Sequence, residues 1–188
     1  YIHALSLSSN ENKAEVLEAL LAKVANDDYI ECLAYAVKEL KLTAITIPAS
    51  IESIDEDAFD ECSYLKTVSF AENSQLKSIG DGAFQGCISL EDIVIPASVE
   101  RIESRAFHSC QSLKKVTFAE GSQLKRIGKC AFINSNALTT VEIPDSIEDI
   151  GYQSFDYCVN LTSLTLPLRF VSDVSTHRYI GIAKETKV

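Results

Sequence analysis

Short runs of alternating hydrophobic and polar residues recur along the chain at nearly constant intervals. Each run follows the pattern L-x-x-[IVL]-x-[IFL], and the six runs begin at Leu42, Leu65, Leu90, Leu113, Leu138 and Leu161. Alternation with a period of two is typical of a β-strand that buries one of its faces. We therefore predict a short strand at the start of each of five complete repeats, and a sixth strand after them.

A second motif recurs in the same phase: a small residue, a phenylalanine and usually, three residues further on, a cysteine. Steps of 25, 23, 25 and 23 residues separate Phe59, Phe84, Phe107, Phe132 and Phe155. Long and short repeats therefore alternate, and prolines follow the strand in the short ones. The extra residues of the long repeats follow the strand, where Asn73 and Gly121 occupy matched positions. Because Asn and Gly accept positive φ most readily, we predict a tight bend at both places.

Insertions at one fixed point of each repeat are what a stacked solenoid permits. Successive repeats would then lie about 4.8 Å apart, with equivalent residues in columns. We predict one interior column of phenylalanines and a second column formed by Cys62, Cys87, Cys110 and Cys158, in which Ser135 takes the fourth place. The cysteines are interpreted as small buried free thiols. Disulfides between neighbouring repeats are the alternative.

The strand pattern is the leading half of the leucine-rich repeat motif. With its continuation, as in IPASVERIESRAFHSCQSL at 95–113, it resembles the BspA-like, or treponemal, class of leucine-rich repeats over residues 42–166. Asp55 and Glu103 depart from the class pattern, which favours glycine there, as at Gly80. The resemblance implies a leucine-rich repeat solenoid with a parallel β-sheet on its concave face and irregular turns on its convex face.

Both ends of the chain depart from the repeat. Residues 1–41 are predicted to form two helices, because Ser8 and Glu11 match a capping box and hydrophobic residues then recur at helical spacing. We interpret this N-terminal helical hairpin as a cap over the first repeat; a remnant of a larger helical domain is the alternative. Residues 167–188 are predicted to be a degenerate closing segment, in which Val171, Val174 and Tyr179 occupy the positions of an imperfect further repeat.

Charge and composition limit the possible partners. A formal net charge of −10 argues against nonspecific binding to nucleic acid or to an anionic membrane, since both need basic patches. No hydrophobic run reaches the roughly 18–20 residues of a membrane span. The chain begins at Tyr1 and contains no methionine, so we interpret it as a mature or trimmed form. The lack of a signal peptide is therefore no evidence for the cytoplasm.

A search for catalytic and metal-binding patterns gives no good candidate. His108 is the only histidine inside a complete repeat, and it aligns with Asp60, Gln85, Ile133 and Asp156. A position that accepts such different side chains is interpreted as an ordinary surface position. Zinc needs four tetrahedral ligands at about 2.3 Å, which a linear column with one sulfur per repeat cannot supply. We predict no enzymatic activity, no cofactor and no metal.

The outward positions of the predicted sheet are the one surface with an organised pattern. The candidate partner-binding residues are Thr67, Asp92, Lys115 and Thr140 in one column, and Ser69, Val94, Thr117 and Glu142 in the next. Threonine is also a favourable exposed strand residue, which explains part of the pattern. The functional interpretation is a flat polar groove for a protein or a glycan, without the aromatic and arginine anchors of a strong hot spot. Asp92 and Lys115 are placed to pair between neighbouring strands.

These features favour a non-enzymatic interaction module that binds a protein partner through its concave face. The resemblance implies a bacterial or protist protein that is on the cell surface, secreted or periplasmic, with adhesion to host or matrix proteins as the usual assignment. Repeats of one fold serve many partners, so two alternatives stay open. One is a structural envelope or periplasmic scaffold without a discrete ligand, and the other is a cytoplasmic effector-type scaffold.

Overall fold

The computed structural model describes the backbone of residues 26–171 and the side chains of residues 29–170. The predicted first helix, with Ser8 and Glu11, lies outside the described residues, as do Val174 and Tyr179 of the closing segment. Within the described part of the chain, parallel strands stack into two sheets along a solenoid. The predicted fold class is therefore confirmed.

Helix α1, Asn26–Leu40, precedes the first repeat and is the second of the two predicted helices. Its predicted hydrophobic stripe is buried at Ile30, Leu33, Ala34 and Val37, and these residues belong to the same core cluster as the first repeat. The helix ends where Lys41 adopts a φ of 53°. The Leu42 N–H then donates to the Val37 carbonyl at 3.1 Å, as in a Schellman motif. The connection between helix and solenoid is thus fixed by backbone hydrogen bonds.

Each repeat contributes one longer strand and one two-residue strand. The longer strands form a six-stranded parallel sheet, in the order β1 Ala44–Ile47, β3 Thr67–Phe70, β5 Asp92–Ile95, β7 Lys115–Phe118, β9 Thr140–Glu142 and β11 Ser163–Thr165. The shorter strands form a five-stranded parallel sheet of β2 Ser53–Ile54, β4 Ser78–Ile79, β6 Arg101–Ile102, β8 Arg126–Ile127 and β10 Asp149–Ile150. The repeat ends at Pro167 and is followed by the short helix α2, Leu168–Val171, rather than by another strand. We call the outward side of the six-stranded sheet the concave face.

The interior of the solenoid is built from columns, as predicted. The five motif phenylalanines are fully or almost fully buried. Neighbouring rings stack with centroids 5.1–5.4 Å apart and with planes within 7° of each other. The small residue before each ring leaves the space that the bend needs, and Ala83, Ala106 and Ala131 have no exposed surface. Hydrophobic burial along this stack is the main stabilising term.

The turns opposite the concave face are more regular than the predicted irregular turns. Around each of the first four motif phenylalanines, three backbone N–H groups donate to carbonyls of the next repeat. For Phe107 the three donors are Arg105, Phe107 itself and Ser109, at 2.8–2.9 Å. Two of these positions have positive φ in every repeat, for example 54° at Arg105 and 59° at Ser109. The convex side therefore consists of a hydrogen-bonded ladder of left-handed turns, in addition to the five-stranded sheet.

Candidate partner-binding surface

The structure aligns the eight candidate residues in the two predicted columns. Strand register pairs Thr67 with Asp92, Asp92 with Lys115, and Lys115 with Thr140. In the second column it pairs Val94 with Thr117. All eight side chains are exposed except that of Thr117, which is half-buried. The columns are thus brought together on one side of one sheet, although a role in binding stays a prediction.

Charges on this face are distributed differently from the sequence prediction. Asp92 and Lys115 are register partners, yet among the described residues the ion pairs include neither of them. The ion pair between these strands forms one residue earlier, where Lys114 Nζ lies 2.9 Å from Glu91 Oε2. This hydrogen bond lowers the pKa of Glu91 and raises that of Lys114. The predicted pairing of Asp92 with Lys115 is therefore wrong, and Asp92 instead acts at longer range on Lys114, whose pKa it helps to raise.

The concave face is not flat, because an open depression of about 700 Å³ interrupts it between β3 and β5. We call this depression the β3–β5 notch; its lining includes Ser69, Phe70, Asn73, Val94, Pro96 and Gln123. Asp92 is the one charged residue that lines it. Four of the eight candidate residues line it, namely Thr67, Ser69, Asp92 and Val94.

Proline explains why the notch lies between these two strands. In the preceding pair of strands, the Ala71 N–H donates to the Ile47 carbonyl at 2.9 Å, and the register extends over four residues. The equivalent donor for the Phe70 carbonyl would be the backbone nitrogen of Pro96, which carries no hydrogen. The register between β3 and β5 accordingly contains only two residue pairs, Thr67 with Asp92 and Val68 with Ile93. The ends of the two strands separate, and the same alternation recurs between β7 and β9 at Pro144.

Loop length adds walls to the notch. The connection between the two strands of a repeat covers residues 71–77 in the second repeat and 119–125 in the fourth, but only 96–100 in the third. The short third loop thus lies between two longer ones, which contribute Asn73 on one side and Gln123 on the other. Positive φ at Asn73 and Gly121 confirms the predicted bends. Sequence reasoning found these bends but missed Phe70, Asn73 and Gln123 as members of a surface site.

On the opposite side, the cysteine column is confirmed as a buried column of free thiols. Beyond the first member, Cys62, the column does more than fill space, because each later member donates to the carbonyl of a phenylalanine in the preceding repeat. Cys87 Sγ lies 3.2 Å from the Phe59 oxygen, and Cys110 and Cys158 repeat this contact at 3.2 and 3.1 Å. Ser135 preserves the bond with its hydroxyl, at 3.1 Å from the Phe107 oxygen. A donor, not a sulfur atom, is what this column requires.

These thiols are poor nucleophiles. Burial raises the pKa of Cys62 to about 11 and that of Cys158 to about 12, and it raises the pKa values of Cys87 and Cys110 as well. Since the thiolate is the reactive form, protonated buried thiols are inert at neutral pH. The column therefore carries no chemistry of its own.

His108 belongs to a polar ladder on the convex side. Its Nδ1 lies 3.1 Å from Gln85 Oε1, and Gln85 Nε2 donates to Asp60 Oδ1 at 3.2 Å. Desolvation, and then the Arg105 guanidinium, lower the pKa of His108 and so favour the neutral ring. The side chain that His108 contacts is thus the amide of Gln85, and not a thiol or hydroxyl that a histidine could activate as a nucleophile. Within residues 26–171, no group of three His, Cys, Asp or Glu residues is arranged to hold a metal ion.

The stacked parallel strands, the strand motif and the interior columns define a leucine-rich repeat solenoid protein. A family model described as BspA type leucine rich repeat region (6 copies) matches residues 29–162 and 117–176. The chain therefore belongs to the BspA-type leucine-rich repeat family. A comparison with curated proteins found no match.

Solved structures of bacterial proteins share the fold. The pneumococcal vaccine antigen PcpA is 39% identical with a TM-score of 0.59, over 65% of this chain and 29% of that one. The leucine-rich repeat protein of T. pallidum is 33% identical with a TM-score of 0.63, over 68% and 60% of the two chains. A leucine-rich cell surface protein of Faecalibacterium prausnitzii is 30% identical with a TM-score of 0.52, over 65% and 38%. This chain thus spans only part of the length of each relative.

Proposed function

We propose that this chain is a non-enzymatic interaction module that binds a protein partner through its concave face. The observation that supports the proposal is the concave face itself, where six parallel strands present exposed and mostly uncharged side chains in regular columns. Because the hydrogen-bonded sheet is rigid before it meets a partner, binding would require little ordering of the chain. The five-stranded sheet offers only two residues per strand, and its exposed positions include the charged residues Arg101, Arg126 and Asp149.

The location that we propose is outside the cytoplasm: on the cell surface, secreted or in the periplasm. Two relatives support it, since one structure is described as a vaccine antigen and another as a cell surface protein. Host or matrix proteins are the partners that such a location favours. The net charge of −10 disfavours nucleic acid as a partner. In the described part of the chain, no helix is long and apolar enough to span a membrane.

The experiment compares two double substitutions that add the same charge to opposite sides of the solenoid. Thr117→Arg with Thr140→Arg places two guanidinium groups in the middle of the concave face. Ile88→Arg with Gln111→Arg places two on neighbouring convex turns, where both native side chains are exposed and uncharged. We prefer these control positions to Glu103 and Asp149, because those carboxylates form ion pairs with Arg101 and Arg126.

Each protein would be tested by biolayer interferometry against immobilised collagen, fibronectin and fibrinogen. We expect the native chain to bind at least one of them, the concave variant to lose that binding, and the convex variant to retain it. Loss in the convex variant together with normal binding by the concave variant would refute the proposal. Absence of binding to all three proteins would favour a scaffold without a discrete ligand.

A further inference from the structure

We propose that the β3–β5 notch is a specificity site for an extended segment of the protein partner, with an apolar side chain over Val94 and an adjacent lysine or arginine beside Asp92. The inference rests on the proposed function and adds to it the chemistry of the partner. It concerns one location on the concave face rather than the whole face. The residues that carry it belong to β3, β5 and the loops that follow them.

The floor of the notch is apolar. Val94 is the one hydrophobic residue among the eight candidate positions, and 56% of its surface is exposed. Phe70 is only partly buried, and it lines the notch together with Pro96. Covering apolar surface of this kind is favourable at about 25 cal/mol per Å². An apolar side chain of a partner is therefore the group that this floor best accommodates.

The charge of Asp92 determines which partner residue is favoured next to that apolar side chain. Asp92 is exposed, lines the notch, and belongs to no ion pair of the described residues. The other polar lining groups are neutral, namely threonine, serine, asparagine and glutamine side chains. Lys114 and Lys115 lie on the neighbouring strand, and Lys114 interacts electrostatically with Asp92, but neither lysine lines the notch. Within the notch the carboxylate therefore favours a cationic residue over an acidic one.

The form of the notch favours a peptide over a glycan. About 700 Å³ is enough for a few residues of extended chain. Its polar walls, Asn73 and Gln123, present amide groups that can hydrogen-bond a peptide backbone from both sides. The one aromatic residue of the lining is the partly buried Phe70, so the notch offers no fully exposed aromatic face on which a sugar ring could stack.

The test uses methyl NMR of the full chain with four synthetic peptides as probes. The host sequence is STSSSSTS, and the three others carry Leu-Lys, Leu-Glu or Ser-Lys at the two central positions. We expect the Leu-Lys peptide to shift the methyl signals of Val94 and to bind at least about tenfold more tightly than the host. The Leu-Glu and Ser-Lys peptides should bind more weakly than Leu-Lys, because each lacks one of the two contacts.

Two variants test the two contacts separately. Val94→Glu copies the residue that this chain carries at the equivalent position 142, so we expect it to fold and to lose the preference for leucine. Asp92→Lys should weaken the Leu-Lys peptide by about fivefold and strengthen the Leu-Glu peptide by a similar factor. Glu142→Val, at the matched position between β7 and β9, is the control and should leave the Leu-Lys affinity unchanged.

Three results would overturn the proposal. The first is equal affinity for the Leu-Lys and host peptides, and the second is an unchanged preference for Lys over Glu in Asp92→Lys. The third is a titration in which maltohexaose, but none of the peptides, shifts the Val94 signals, which would assign the notch to a carbohydrate. If the notch fails while Thr117→Arg with Thr140→Arg still abolishes binding to a matrix protein, the general role of the concave face stands and only its specificity site is rejected.

Discussion

The phenylalanine column makes a quantitative prediction about stability. Phe107 has no exposed surface and stacks between Phe84 at 5.4 Å and Phe132 at 5.2 Å. Truncation to alanine leaves a cavity in the middle of the stack, and such changes cost about 3–5 kcal/mol of unfolding free energy. Each ring contact contributes about 0.5–1.5 kcal/mol of that cost. Phe59, at the first position, has one ring neighbour in the column, so Phe59→Ala should cost about 1 kcal/mol less.

The assay is urea unfolding followed by far-UV circular dichroism, with tyrosine fluorescence as a second probe because the chain contains no tryptophan. Agreement between the two probes is needed for one free energy to describe a repeat protein. His108→Ala is the control, since it removes one partly exposed hydrogen bond and should cost under about 1 kcal/mol. Equal losses for Phe107→Ala and His108→Ala would refute the assignment of the interior column.

Three further predictions concern the packing between repeats. Ser135→Ala should cost about 1–2 kcal/mol by removing the donor to the Phe107 carbonyl, and Ser135→Cys should restore most of it; similar urea midpoints for the two variants would contradict this role. Burial raises the pKa of Cys110 in the folded chain, so this thiol ionises at a lower pH in the unfolded chain than in the folded one. The free energy of unfolding should therefore fall as pH rises above about 8.5. The loss should be about 1 kcal/mol for that thiol between pH 8.5 and 9.5, and Cys110→Ser should lack it. Gly128→Ala would place a Cβ 2.5 Å from the backbone carbon of Glu103 and should cost at least about 1–3 kcal/mol, whereas Glu103→Ala should cost under about 1 kcal/mol by the same assay.

Which side chains face inward could be predicted from the sequence, because a period is a geometric constraint. Once Phe59 and Phe107 occupy equivalent positions, stacking places them in one column regardless of the details of the loops. The same argument places Asp92 beside Lys115, and the observed register agrees. Repetition therefore predicts relations between Cα positions well. It does not predict which long side chains meet, and this is why the ion pair forms between Lys114 and Glu91 instead.

Residue types alone do not predict the hydrogen-bonding role of the cysteine column. Cysteine is among the most buried residues in proteins, and its thiol is a weak donor, so a space-filling role was the simpler interpretation. The replacement of a cysteine by Ser135 is a hint of a donor, because buried hydroxyls are usually hydrogen-bonded. It does not establish one, since the equally buried hydroxyl of Ser154 has no hydrogen-bond partner among the described residues. Only the coordinates identify the partner of Ser135 as a carbonyl of the preceding repeat.

The notch depends on a backbone effect that the hydrophobic pattern does not contain. Prolines in alternate repeats were visible in the sequence, but they mattered there only as markers of repeat length. Their physical consequence is that Pro96 has no backbone N–H to donate to the preceding repeat. The equivalent residues of the two flanking repeats, Ala71 and Ala119, do donate, to the carbonyls of Ile47 and Ile95. The ladder is complete between β1 and β3 and between β5 and β7, and is shortened between β3 and β5.

A solenoid of identical repeats would present the same surface at every pair of neighbouring strands. When two unlike repeats alternate, every second pair of neighbouring strands differs from the pair before it. The alternation shortens the ladder at two equivalent places, β3–β5 and β7–β9, and side-chain differences then distinguish them: Val94 and Asp92 at the first correspond to Glu142 and Thr140 at the second. Such a difference is the minimum that selective binding requires.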